Sequence, residues 1–327
     1  MRIGVWSLAH MHAMSYLACL AARADVAWVG VLDEDQPERA RPAAQEHGLH
    51  WVQRADELLA QVDAVIITSA NADHARMALQ AAEAGVHALV EKPLATARAD
   101  ALAMIEAFAS RGLILGTAFP CPFSPAFCTL QEQVAAGALG EILALRTTNR
   151  GSMPGGFFIE LERSGGGAVM DHSVHVADLL RRLTGSDPLR VHAEIGHGLY
   201  HQEWDDSGLL TIDMASGAIA TLDTSWSRPK SYPTWGDVTI HAIGARGNAH
   251  ADLFGQHVAL YPGEPTPPRW VSWGSNLDEL MVADFLAAVG QGRPPRSTGR
   301  DGLIALEVAL AAYASTRTGQ PVEIASL

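Results

Sequence analysis

The first 120 residues alternate between two hydrophobic periods, and this alternation constrains the fold more than any other feature of the chain. Residues 3–6, 26–32, 64–68, 88–90 and 113–116 are strand-length and apolar almost throughout. A strand with no polar face must be covered on both sides, which is the situation inside a parallel sheet. Between these runs, residues 13–22, 37–47, 55–60, 72–84 and 99–111 carry apolar residues at helical spacing. Gly48, Gly85 and Gly112 stand just past three of these stretches, where a left-handed C-cap is needed. Repeated strand–helix–strand units of this length cross over right-handed and place helices on both faces of the sheet. A last helix, residues 125–136, closes this half.

After residue 142 the rhythm changes. Residues 142–148, 191–195, 209–214, 218–225, 238–243 and 258–261 read as strands with few helices between them. Ser216-Gly217 is a tight-turn signal, so residues 209–225 are expected to form a hairpin. Helical spacing appears at 168–183, 277–289 and 301–316, and Pro-rich loops at 262–268 and 294–295. The expected fold is a doubly wound α/β domain over residues 1–120, then an α+β domain with an open, mostly antiparallel sheet over residues 121–327.

Composition narrows the function classes. A formal charge of −13 argues against nucleic acid or an anionic membrane as partner, because an acidic surface attracts neither. No apolar run approaches the roughly 20 residues needed to cross a bilayer. The chain starts directly on a strand pattern, with no charged and apolar leader, so a cytoplasmic location is expected. Cys19, Cys121 and Cys128 form no CxxC pair and leave one odd, as expected of buried thiols in a reducing compartment.

The loop after the first strand is where a doubly wound sheet binds a dinucleotide, normally through GxGxxG. Here it reads Ser7-Leu8-Ala9-His10-Met11-His12, with none of the three glycines. Ser7 and Ala9 are small enough for close backbone approach, whereas His12 demands looser helix–strand packing. Asp33 follows the second strand, where a carboxylate hydrogen-bonds the adenosine ribose and repels a 2′-phosphate, favouring NAD over NADP. Glu34 and Asp35 follow directly and leave the register open by one or two residues.

Two longer motifs are more specific. Thr68-Ser69-Ala70-Asn71-Ala72-Asp73-His74 precedes a helix and then Ala84-Gly85-Val86-His87-Ala88-Leu89-Val90-Glu91-Lys92-Pro93. Farther on stands Ser164-Gly165-Gly166-Gly167-Ala168-Val169-Met170-Asp171-His172-Ser173-Val174-His175-Val176-Ala177-Asp178. With Gly244-Ala245-Arg246-Gly247 and the helix at 303–315, these resemble the Gfo/Idh/MocA oxidoreductases over nearly the whole chain. The resemblance implies a Rossmann domain that binds NAD, a second domain for substrate binding and oligomerisation, and a homodimer or homotetramer. It implies Lys92 and His175 as catalytic residues assisted by Asp171, and a cis Lys92–Pro93 peptide. Ser7, Ala9, His10, Met11, Asp33, Ser69, Asn71, His74, Glu91 and Lys92 fall at the cofactor positions. The implied reaction is hydride transfer between NAD and a hydroxyl or carbonyl carbon of a sugar, inositol or related polyol. A histidine suits removal of the hydroxyl proton, and an ammonium stabilises charge on the oxygen.

Three departures from the family pattern stand out. The loop lacks its glycines; His172 and Ser173 fill positions where relatives have a variable residue and a glycine; and Phe119-Pro120-Cys121-Pro122-Phe123-Ser124-Pro125 lacks an arginine that relatives often carry. His10, His12, Asp171 and His172 have no standard ligand spacing, and no metal is expected. Two alternatives stay open: a redox-neutral, NAD-dependent lyase or glycosidase, and a non-catalytic nucleotide-binding homologue. Trp204, Trp226, Tyr232 and Trp235 read as sheet core or as a sugar-stacking face. Arg150, residues 153–158 and Arg163 read as a substrate loop.

Overall fold

The computed structural model describes residues 1–234, 236–260, 266 and 269–324. Trp235, Tyr261 and most of the Pro-rich stretch at 262–268 lie outside them. The chain divides into two compact units. The first comprises Met1–Pro120, Glu162–Gly165 and Leu277–Leu306; the second comprises Cys121–Leu161, Gly166–Asn276 and Glu307–Leu327.

In the first unit the strands are β1 (Arg2–Trp6), β2 (Trp28–Leu32), β3 (His50–Trp51), β4 (Ala64–Ile67), β5 (His87–Val90) and β6 (Leu115–Thr117). They form one sheet in the order β3-β2-β1-β4-β5-β6, every pair parallel. β4 is buried at all four positions and β1 at four of five, as strands covered on both faces require. The connecting helices are α1 (Ala13–Ala21), α2 (Pro37–Glu46), α3 (Ala55–Leu59), α4 (His74–Glu83) and α5 (Arg98–Ala109). Gly48, Gly85 and Gly112 all take positive φ at helix ends.

Three details differ from the sequence expectation. β3 was not anticipated, because both of its residues are exposed and only edge pairing to β2 defines it. β6 starts at Leu115 rather than 113, since the Leu113 N–H caps α5 through the Phe108 carbonyl. The helix expected at 72–84 opens as a 3-10 turn, Asn71–Asp73, before α4. Residues 297–298 extend the edge of β6: the Thr117 N–H and Oγ1 donate to the carbonyls of Ser297 and Thr298.

The second unit carries α6 (Pro125–Ala135), β7 (Ile142–Gly151), the short α7 (Leu161–Ser164, which straddles the unit boundary), α8 (Ala168–Thr184), β8 (Pro188–Gly196), β9 (Ser207–Met214) and β10 (Ile219–Ser225). Then follow β11 (Gly236–Gly244), β12 (Asn248–Asp252), β13 (His257–Leu260), β14 (Arg269–Ser272), α9 (Leu277–Gln291), α10 (Gly299–Thr318) and β15 (Val322–Glu323). α9 and the start of α10 belong to the first unit. The main sheet runs β12-β11-β7-β10-β9-β8-β15, antiparallel except for β7 beside β10. The expected hairpin is β9–β10, turning at Gly217 with φ 90°. Burial alternates along β9, with Leu210 and Ile212 inward and Leu209 and Thr211 outward, and α8 covers the inner face.

Candidate active site

In the first unit the sheet order reverses between β1 and β4, and the loops leaving their carboxyl ends define the crevice where doubly wound sheets bind ligands. Those loops are joined directly. The His10 N–H donates to the Thr68 carbonyl at 2.9 Å, and Thr68 Oγ1 donates to the Ser7 carbonyl at 2.6 Å. Ser7 holds φ 73°, the left-handed turn that the first fingerprint glycine ordinarily supplies. The cradle therefore keeps its shape without that glycine. Ala9 is the smallest side chain glycine can be exchanged for, and α1 begins directly after the loop. These features fit a dinucleotide pyrophosphate at a helix N-terminus.

Asp33 closes the crevice at the end of β2 and is 1% exposed, while Glu34 and Asp35 face solvent. Its Oδ2 accepts the Leu8 N–H at 3.2 Å and pairs with Arg39 at 2.9 Å; its Oδ1 accepts the Gln36 N–H. The carboxylate thus braces the loop.

Glu91, Lys92 and Pro93 follow β5, and the Lys92–Pro93 peptide is cis. Glu91 is fully buried, Lys92 is 4% exposed, and the Lys92 N–H donates to Glu91 Oε2 at 3.0 Å. Three groups converge on Glu91 Oε1: the Tyr16 hydroxyl at 2.5 Å, His12 Nδ1 at 3.1 Å and His10 Nδ1 at 3.6 Å. Burial pushes the Glu91 carboxyl up, but the imidazoles of His10 and His12 outweigh it and hold it well below the usual range. The polar atoms of His10, His12 and Glu91 lie within 4.8 Å of one another, in a network of hydrogen bonds.

His74 and Asn71 lie beneath this surface. His74 is fully buried and donates from Nδ1 to the Pro93 carbonyl at 2.9 Å, which fixes the turn after Lys92. Burial pushes its imidazole pKa down, in keeping with a neutral ring. Asn71 Nδ2 donates to the Ser164 carbonyl, and Ser69 Oγ to the neighbouring Ala70 carbonyl. Met11 is exposed at the tip of the loop.

In the second unit α8 carries Asp171, His172, His175 and Asp178, all buried. Its entry is built by Asp205, whose Oδ1 accepts the Gly167 N–H and the Tyr313 hydroxyl, and whose Oδ2 accepts the Val169 N–H, each at 2.8 Å. A Cβ on Gly167 would overlap the Asp205 carbonyl oxygen, so this position of the glycine run tolerates no side chain. Asp171 and His175 stand one turn apart on one face. Asp171 Oδ2 accepts the Trp226 indole N–H at 3.1 Å and lies 3.2 Å from His172 Nε2. His172 Nδ1 donates to the Asn149 carbonyl at 3.0 Å, so its ring is held at both nitrogens. Cys121 Sγ is 4.0 Å from His175 Nδ1. Asp178 binds Arg182 one turn on, at 2.8 Å.

Of the histidines that the sequence grouped together, His10 and His12 meet Glu91 in the first unit, and His172 meets Asp171 in the second. Trp226 is core, and Trp204 packs edge-on against it at 5.3 Å. Arg150 pairs with Asp237 at 3.1 Å. Sequence reasoning missed Tyr16 and Asp205, and it named Trp226 as sheet core or a stacking face without its bond to Asp171. Only Tyr16 left a signal, as the position one helical turn after His12.

The chain is similar to known proteins over most of its length. Residues 3–119 match the family described as "Oxidoreductase family, NAD-binding Rossmann fold", and residues 127–250 match "GFO/IDH/MocA C-terminal domain". The chain is 29% identical over 300 residues to a scyllo-inositol 2-dehydrogenase (NAD(+)) of Bacillus subtilis, covering 88% of this chain and 85% of that one. It is 29% identical to a myo-inositol 2-dehydrogenase of Thermotoga maritima, covering 80% of each. A crystal structure of GenD2 from gentamicin A biosynthesis, in complex with NAD, superposes with a TM-score of 0.90 at 27% identity, covering 99% of this chain and 96% of that one.

Proposed function

This chain belongs to the Gfo/Idh/MocA family of oxidoreductases, and we propose that it oxidises a carbinol carbon of a sugar, inositol or related polyol with NAD. The observation that carries the reading is a lysine 4% exposed, at the carboxyl end of a central parallel strand, in a sheet ordered as dinucleotide-binding sheets are. The dehydrogenase names of the inositol relatives support the substrate class.

NAD, when bound, supplies the hydride acceptor. The loop of Ser7, Ala9, His10 and Met11 would lie against its pyrophosphate, and Asp33 would hold its adenosine ribose, disfavouring a 2′-phosphate. The rest of the work falls to side chains. His175 takes the hydroxyl proton as the carbon gives up hydride. Lys92 donates a hydrogen bond that stabilises negative charge developing on the substrate. Asp171, fixed by Trp226 and His172, holds a neighbouring hydroxyl or the His175 ring. Glu91 and His74 brace the turn that carries Lys92.

Cys19, Cys121 and Cys128 form no disulfide and the first two are buried, which supports a cytoplasmic setting. Among the described residues no helix is long and apolar enough to cross a membrane. Leu209 and Ile219, both more than half exposed on the outer sheet face, support self-association there as a dimer or tetramer. The test is NADH formation with NAD across a panel of inositols, aldoses and amino sugars. NADH release with at least one of them is expected; NAD binding without NADH from any would overturn net oxidation.

A further inference from the structure

The third fingerprint position of the phosphate loop holds His12, and we infer that its imidazolium anchors the cofactor's pyrophosphate, making NAD binding proton-linked. The inference rests on NAD being the cofactor, as proposed above.

A glycine-rich loop offers an anion its backbone N–H groups. Here several of these are already committed. The Leu8 N–H goes to Asp33, the Ala9 N–H to Ser7 Oγ at 3.2 Å, the His10 N–H to the Thr68 carbonyl, and the His12 N–H to His10 Nδ1 at 3.2 Å. With these N–H groups committed inside the protein, the loop has fewer backbone donors to offer an anion, and a side-chain cation adds to those that remain. His12 stands at the N-cap of α1, where the helix dipole already favours an anion.

The residue is fixed at two points, one on the backbone and one on the ring. His10 Nδ1 holds its backbone N–H, and Nδ1–H donates to the fully buried Glu91 at 3.1 Å. Even so, 31% of the side chain is exposed, so the ring reaches from a buried network to the loop surface. With Nδ1–H committed to Glu91, Nε2 decides what the ring offers a ligand. In the neutral ring Nε2 is a lone pair, which repels a phosphate oxygen. In the imidazolium it is a charged N–H donor, which binds one. Recognition through this edge therefore exists only when the second proton is present.

The groups facing the ring set its charge: Glu91 at the end of β5, Lys92 beyond it, His10 in the loop, Tyr16 on α1 and Asp278 at the start of α9. Burial disfavours the cation and Lys92 opposes it, but Glu91 outweighs both with help from Asp278, and the His12 pKa is raised. For a raised group the charged form is complete at low pH and is lost as pH rises through the shifted value. NAD affinity should follow the same course, and binding should take up a proton by reciprocity. The pyrophosphate stays ionised throughout, so its own charge does not contribute.

The test is calorimetric titration of the full chain with NAD at about pH 6 and about pH 9, in paired buffers of different ionisation heat. The dissociation constant should rise on the order of tenfold between them, with proton uptake near neutrality. His12→Ala should bind weakly and without pH dependence. His12→Gln, whose amide can still reach Glu91 but cannot titrate, gives the same reading if alanine impairs folding. A flat wild-type profile, or a pH dependence that survives in His12→Gln, would overturn the inference while leaving NAD as cofactor. Absence of NAD binding at every pH would overturn the cofactor assignment and the inference together.

Discussion

Replacing Lys92 by alanine is expected to lower kcat by about 10³-fold while leaving the NAD dissociation constant within about threefold of wild type. Lys92 follows β5, its own N–H is tied to Glu91, and the turn after it is held by His74. The backbone that positions it thus depends on neighbouring side chains rather than on the ammonium. An interaction that matters only as charge develops on the substrate oxygen appears in kcat and barely in cofactor binding. Steady-state kinetics beside calorimetry separates the two. Wild-type kcat in Lys92→Ala would remove the lysine from the chemistry, and loss of NAD binding would recast it as a cofactor ligand.

His175→Asn should lower kcat on the order of 10²- to 10³-fold, again with cofactor affinity kept. Asparagine has a polar group near the position of Nδ1 but cannot accept and release the hydroxyl proton. α8 should survive the change. Its entry depends on Asp205 and Tyr313, and its far end on the Asp178–Arg182 pair and the left-handed C-cap Gly185. Circular dichroism and the NAD titration would report an intact protein. Parallel loss of helix signal and activity would make His175 a structural residue, and unimpaired turnover would exclude it as the base.

Much of this was legible before any coordinates, for reasons that differ from residue to residue. The first sheet was readable because β1, β2, β4 and β5 are buried on both faces and therefore apolar at nearly every position. β3 was not, because His50 and Trp51 are exposed and pair only through the backbone. Asp33 could be placed from its offset after β2, yet its brace by Arg39 depends on how α2 folds back over the strand end. The same limit hid the bond from Trp226 to Asp171, 55 residues apart in sequence. α9 reads as part of the second half because it follows it in the chain, whereas Ser15 on α1 binds Asp278 of α9 within the first unit. The absence of the first glycine leaves the course of the loop unchanged. Ser7 adopts the glycine-like turn, held by Leu32 and Thr68 through the backbone.

The most direct test of the central claim is to follow deuterium from the carbinol carbon of a polyol substrate during a single turnover with NAD. The account predicts deuterium at C4 of the released NADH, a slowed hydride step, and an oxidised product carrying one carbonyl in place of the alcohol. Turnover with no NADH released, and with deuterium lost to solvent or returned to the product, would contradict it and make the chemistry redox-neutral.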